Sequence, residues 1–289
     1  MAELSSRNNV KRIIEKYKFR FSKSLGQNFL VDSAALDTII DAADVNKDDV
    51  VLEIGTGIGT LTERLCQNAK KVIAVEIDSS LVPILEETLE GYDNYEIINQ
   101  DILKTDISKL LEQRNIMQSI KVVANLPYYI TTAIILKLLE ENINLDLMVL
   151  MLQKEVADRL NAKKSTKDYG SLSIAVQFYC DTDIVDTIYK ESFIPAPKVD
   201  SSVIRLTKRK EKKYIVKDEQ LYFKLVRASF AKRRKTIINS ILGYEDFTDK
   251  EKILKALELS ELDPKIRGEA LSLDEFARLA DNYYDLNQK

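Results

Sequence analysis

The chain has 289 residues and is 45% hydrophobic, enough to fill one full α/β core and a smaller second one without a disulfide or metal staple. It has no histidine, which removes Ser-His-Asp triads, Cys-His pairs, His-ligated zinc and the HxE deaminase signature together, while Cys66 and Cys180 lie far apart, outside any CxxC pattern, and read as buried thiols with no metal implied. The net charge of −3 is segregated, for the stretches 7–23, 205–217 and 227–235 carry +6, +6 and +5, the arrangement a phosphate-binding face needs.

The start, 1–9, is polar, and no apolar run reaches the length of a signal-peptide core or a membrane span, which predicts a cytoplasmic protein with no membrane partner. Residues 33–43, SAALDTIIDAA, have the spacing of an amphipathic helix, and the β-branched VVLEI at 50–54 reads as a buried strand running into GTGIGT. Further apolar runs at 71–76, 95–98, 120–124 and 145–152 alternate with helical patterns such as 79–90 and 132–141, which predicts a parallel, doubly wound sheet. Runs at 172–180 and 201–206, joined through a ProAlaPro region, suit an antiparallel closing pair of strands at the sheet edge. A charged linker, TKRKEKK at 207–213, and helical patterns near 218–242, 249–258 and 272–283 then predict a small all-helical domain. The expected division is 1–207, an α/β domain with a basic N-terminal segment, and 208–289, a basic helical domain; no internal repeat or low-complexity tract is present.

EIGTGIG at 53–59 sits at a strand-to-helix turn, where glycines at Gly55 and Gly57 let the backbone turn sharply and approach a ligand with no Cβ in the way. Thr60 stands where the dinucleotide fingerprint GxGxxG requires its third glycine, which points away from NAD. S-adenosylmethionine brings no phosphate but carries a sulfonium, an ammonium and a carboxylate, and acidic residues near the loop suit it better. Glu76, ending the next strand, is placed to accept from ribose hydroxyls, and Asp101, after the third strand, from the adenine amine.

The fourth strand runs into NLPYY at 125–129, at the sheet edge where open α/β folds bind ligands. An exocyclic adenine amine is a poor nucleophile because its lone pair is delocalised into the ring. Asn125 Oδ1 and the Leu126 carbonyl can each accept one N–H and leave the lone pair aimed at a methyl carbon. Pro127 fixes the turn, and Tyr128 offers a ring on which an unstacked purine can lie.

NLPYYITT at 125–132 resembles the adenine N6 methyltransferase motif in the form typical of the ribosomal RNA adenine dimethyltransferases. SLGQNFL at 24–30, EIGTGIGTLT at 53–62, FIPAPKVDSSV at 193–203 and SFAKRRKTIINSIL at 229–242 look like signatures of the same family, so the resemblance covers nearly the whole chain. It implies a Rossmann-like, S-adenosylmethionine-dependent methyltransferase sheet with a small C-terminal all-helical domain. It also implies that Asn28 and Leu30 close over the cofactor beside Gly55, Gly57, Glu76, Asp101 and Asn125. By the same resemblance Phe193 sandwiches the target adenine against Tyr128, and Lys232, Arg233, Arg234 and Lys235, on a helix of the second domain, meet RNA phosphates.

Within the family, the FIPAPKVDSSV and KRRKT segments are more similar to the branch that acts on small-subunit RNA than to the antibiotic-resistance branch that modifies large-subunit RNA, and the chain is expected to be a monomer. A ribosome assembly factor with methylation secondary, and a DNA adenine methyltransferase, are the other readings that the motifs leave open.

Overall fold

Aliphatic runs buried on both faces suit the inner strands of a sheet covered by helices, and four of them, at 50–54, 71–76, 120–125 and 145–153, build its centre here. After α1 (Arg7–Lys16) and the two-residue β1 (Phe29–Leu30), the chain alternates helix and strand: α2 (Ser33–Ala43), β2 (Val50–Ile54), α3 (Thr60–Asn68), β3 (Lys71–Glu76), α4 (Val82–Thr88), β4 (Tyr95–Asn99), α5 (Ile107–Glu112), β5 (Ile120–Asn125), α6 (Thr131–Glu140) and β6 (Leu145–Gln153). Next come α7 (Lys154–Leu160), α8 (Ser171–Tyr179), β7 (Cys180–Ile188), β8 (Phe193–Ile194) and β9 (Ser201–Lys208). Four helices finish the chain: α9 (Glu219–Phe230), α10 (Ile237–Ile241), α11 (Lys250–Leu259) and α12 (Leu273–Asn287). This computed structural model describes residues 4–141 and 143–288; the first three residues of the polar start, and the side chain of Lys23 in the first basic stretch, lie outside the described part.

The seven strands of the main sheet lie in the order β4-β3-β2-β5-β6-β9-β7, with β4 through β6 parallel and β9 antiparallel to β6. From β2 the chain moves outward to β3 and β4, then returns to place β5 on the other side of β2. Open sheets bind ligands at such a switch point, because the two connections diverge and leave a crevice at the strand ends. Glycine loop and NLPY loop leave neighbouring strands there, with Glu53 opposite Val123 in the register.

The sheet forms one compact unit, residues 1–157 with 181–208, and a second unit comprises 158–180 with 209–289. The boundary thus differs from a single cut after 207. The run at 172–180, expected as a strand, is helix α8, whose Ile174 and Phe178 belong to the apolar cluster of the second unit with Tyr222, Leu225 and Phe276. A short run apolar on every side has no period to distinguish strand from helix. The partner of β9 at the sheet edge is instead β7, CDTDIVDTI, whose exposed Asp181, Asp183 and Asp186 protect an exposed edge from pairing with other chains.

In the second unit the helices are cut where capping side chains stand: Asp218, Asp249 and Ser272 each accept from a backbone N–H of the first turn of α9, α11 and α12. The pattern at 218–242 is not one helix. It breaks after Phe230, and residues 231–235 form a turn before α10.

Candidate active site

Gly55, Gly57 and Gly59 all have positive φ (77°, 56° and 92°), so the loop after β2 has a shape that residues with a Cβ adopt only under strain. At Gly57 a Cβ would also stand 3.0 Å from the Phe29 ring, so glycine there lets the N-terminal segment pack directly onto the loop. A cleft of about 980 Å³, open to solvent, lies over this loop. Asn28, Leu30, Gly55, Gly57, Glu76, Asp101, Asn125, Leu126 and Tyr128 all line it, together with Pro127 and Tyr129.

Glu76 ends β3 and is 4% exposed. Its Oε1 accepts from the Asp78 N–H at 2.8 Å, and its Oε2 from the Thr56 hydroxyl at 3.1 Å and the Gly57 N–H at 3.2 Å. Burial raises its pKa above the usual carboxylate value, and these three donors work against the rise. A carboxylate has about four acceptor sites, so one remains for a ligand hydroxyl unless Thr56 turns away. Asp101 is fixed by the Leu103 N–H at 3.0 Å and faces the exposed Lys104 at 3.7 Å.

Glu53 is 0% exposed, and neither carboxylate oxygen has a hydrogen-bond partner among the described residues. Desolvation pushes its pKa up to about 8; the nearby Thr62 hydroxyl, short of a hydrogen bond of normal geometry, opposes this, and the Glu76 charge adds to it. A buried acid with unused acceptors beneath a glycine loop fits a ligand that brings positive charge, as a sulfonium and an ammonium would.

On the other side of the crevice, Asn125 Nδ2 donates toward the Asn28 carbonyl at 3.4 Å, leaving Oδ1 without a protein partner among the described residues. The Pro127 carbonyl accepts from the Ile130 N–H and the Thr131 hydroxyl, closing the turn into α6. Tyr128 is half-buried, and its hydroxyl pairs with Ser201 at 2.7 Å, which pins the ring to the start of β9. Burial raises the Tyr128 pKa, so the phenol stays protonated.

Phe193 is not brought to the cleft. It is 2% exposed, sits opposite Leu30 in the short β1–β8 pair, and packs in the apolar cluster with Met151, Ile188 and Val203. The sandwich of a base between Tyr128 and Phe193 is therefore not formed in this conformation. Lys232, Arg233, Arg234 and Lys235 are all exposed, but on the turn after α9 and not on a helix. Arg233 is held by the Lys167 carbonyl and by Glu269, whereas the other three side chains make no ion pair among the described residues.

The cleft also contains residues that sequence patterns did not single out. Ile77, 45% exposed directly after Glu76, presents an apolar face on the cleft wall, and Gln27 reaches across to Asp78 at 2.6 Å. An apolar residue following a strand-end carboxylate was a usable signal for Ile77; the pairing of Gln27 with a residue far along the chain left none. Among the described residues no group of three His, Cys, Asp or Glu side chains is arranged to hold a metal ion.

Residues 18–280 match the family model for ribosomal RNA adenine dimethylase. The chain is 52% identical over 280 residues, 97% of its own length and 96% of the relative's, to the ribosomal RNA small subunit methyltransferase A of Clostridioides difficile strain 630. Among solved structures it is similar to a dimethyladenosine transferase from Plasmodium falciparum, with a TM-score of 0.75, 29% identity and coverage of 90% of this chain and 98% of that one. It is also similar to the 23S rRNA methyltransferase ErmE, with a TM-score of 0.66, 27% identity and coverage of 89% and 100%.

Proposed function

The chain belongs to the ribosomal RNA adenine dimethylase family, and we propose that it uses S-adenosylmethionine to dimethylate the N6 amines of two adjacent adenosines in the RNA of the small ribosomal subunit. The observation that carries the chemistry is the meeting of the glycine loop and the NLPY loop at one switch point, with no partner for Asn125 Oδ1 among the described residues. Family membership over residues 18–280 supports the adenine acceptor.

Bound in the cleft, S-adenosylmethionine supplies an electrophilic methyl on a sulfonium. Glu76 offers its remaining acceptor site to a ribose hydroxyl, Asp101 accepts from the adenine amine of the cofactor, and Glu53 places negative charge beneath the loop once it ionises. Asn28 and Leu30 wall the same space from the N-terminal side. At the acceptor, Asn125 Oδ1 and the Leu126 carbonyl each take one N–H of the exocyclic amine, drawing the nitrogen toward tetrahedral geometry with its lone pair aimed at the methyl carbon. Once the methylated nitrogen has given up one proton to solvent, a single N–H remains, and one of the two acceptors holds it for the second transfer. Tyr128 provides the stacking face, and Phe193 joins it only if β8 shifts to expose the ring.

Exposed Lys232, Arg234 and Lys235 suit binding to phosphates, with Arg233 ordering the turn that carries them. We place the protein in the cytoplasm as a monomer; among the described residues no helix is long and apolar enough to cross a membrane.

A large-subunit substrate is the second reading, supported by 27% identity to the 23S rRNA methyltransferase. The 52% identity to a small-subunit methyltransferase over nearly the full chain supports the first more strongly. A role in subunit assembly is compatible with either, since an enzyme that holds a particular RNA fold must leave before translation.

Asn125→Ala tests the chemistry. Methyl transfer should fall by about 100-fold or more, the scale of losing a transition-state hydrogen bond, while calorimetric cofactor affinity stays within a few fold. Unchanged turnover would remove Asn125 from the mechanism.

A further inference from the structure

We propose that Gln27 and Asp78 form a latch that holds the segment 22–28 closed over the cofactor, making Gln27 a positioning residue for cofactor retention. The inference rests on the cofactor reading above and concerns how that ligand is kept and exchanged.

Segment 22–28 forms one wall of the cleft, through Leu25, Gly26, Gln27 and Asn28. Apolar packing anchors it on both sides: Phe19 and Phe21 lie before it, and each is within 5.5 Å, ring centroid to centroid, of Phe29, which follows. Between those anchors the segment is polar or glycine apart from Leu25, and it has little apolar surface of its own with which to stay down.

Gln27 uses both ends of its amide. Its Oε1 accepts from the Ser22 N–H at 2.8 Å, folding the segment back on itself, and its Nε2 donates to Asp78 Oδ2 at 2.6 Å. Asp78 is not a passive acceptor. Its other oxygen takes the Ser80 N–H and hydroxyl, and its own N–H donates to Glu76 Oε1 at 2.8 Å. Glu76 in turn accepts from Gly57 and Thr56 of the glycine loop. The wall, the ribose-facing carboxylate and the glycine loop are thus one hydrogen-bonded chain, with Gln27 as its link to the segment. On the far side the same segment touches the catalytic loop, where the Tyr129 ring lies against Gly26 and the Asn28 carbonyl faces Asn125.

Each methyl transferred consumes one cofactor, so dimethylation requires the cleft to open and close between transfers. A single charge-assisted hydrogen bond suits such a gate, since it is strong enough to bias the closed state and weak enough to break on every cycle. A buried apolar seam would not release as readily.

The test is calorimetric binding of S-adenosylmethionine and S-adenosylhomocysteine to the wild-type protein, Gln27→Ala, Asp78→Ala and the double variant, with steady-state kinetics alongside. The latch predicts that Gln27→Ala weakens cofactor binding about tenfold, or about 1.4 kcal/mol, mostly through faster dissociation. The cofactor KM should rise in proportion while kcat at saturating cofactor changes less than about twofold. The double variant should be no weaker than the poorer single one, and Asp78→Asn, whose one amide oxygen cannot accept from both Ser80 and Gln27 Nε2, should recover only part of the affinity lost in Asp78→Ala. Unchanged affinity in Gln27→Ala, or single effects that multiply in the double variant, would overturn the latch. Wild-type protein that binds neither ligand would overturn the cofactor assignment, and the latch with it.

Discussion

Replacing Glu53 with glutamine should change how stability depends on pH, because the carboxyl is wholly buried and its oxygens have no partner among the described residues. Desolvation holds its pKa at about 8 against a usual 4.5. Between those two values the folded protein keeps a proton that the unfolded chain releases, so the contribution of this group is complete below the lower value and is lost as pH rises toward the upper one. The slope is about 1.4 kcal/mol per pH unit, so roughly 2–3 kcal/mol should be lost between about pH 6 and pH 8. Glutamine is close in shape to the neutral acid and does not titrate. The stability of Glu53→Gln relative to wild type should therefore improve by that amount across the interval, read as the difference in urea unfolding free energy at each pH. The interval is unusually clean because the chain has no histidine and burial lifts the Cys66 thiol to about 12. Glu76, also raised, is common to both proteins and largely cancels. Parallel pH curves would refute the reasoning, since they would mean that Glu53 is already ionised, and therefore solvated or paired, in the folded state.

Three further substitutions test individual placements. Phe193→Ala should cost about 3–5 kcal/mol of unfolding free energy as a truncation in a packed core, whereas Phe193→Leu should keep the fold and hold methyl transfer within about tenfold; complete loss of transfer in a stable Phe193→Leu would return the ring to the base. Tyr128→Phe removes the Ser201 hydrogen bond, worth about 1 kcal/mol of stability, and keeps the stacking face, so its turnover should exceed that of Tyr128→Ala by about tenfold or more. Equal turnover would argue against stacking. Replacing Lys232, Arg234 and Lys235 with glutamine should reduce the slope of log affinity against log salt for RNA by about 0.7–0.9 for each phosphate no longer neutralised, and an unchanged slope would place the RNA elsewhere.

The sequence was most legible where a strand is buried on both faces and ends in chemistry. VVLEI before GTGIGT, KVIAVE before the turn and KVVAN before LPYY each announce a strand and its functional end, because apolar continuity and the polar break that follows are both local. Edge strand β7 was not legible, since its aspartates serve solvation and not burial, and α8 differs from the expected strand because an apolar run of nine residues suits either structure until its packing partners are known. Phe193 shows the limit of motif reading. Its place in the signature says nothing of whether the ring faces the cleft or the core, and the antiparallel pairing with Leu30 puts it in the core. Gln27 and Asp78 meet only because the N-terminal segment folds back over β3, a consequence of tertiary packing. The basic run at 232–235 carried its charge in composition, but the end of α9 at Phe230, which converts the run into a turn, had no glycine or proline to mark it.

The most direct measurement is transfer of labelled methyl from S-adenosylmethionine to unmethylated small subunits, large subunits, naked ribosomal RNA and duplex DNA, with the modified nucleoside identified by mass. N6,N6-dimethyladenosine at adjacent positions of small-subunit RNA is the expected product. Label confined to large-subunit RNA or to DNA, or tight binding of small subunits with no label transferred, would contradict the proposed function.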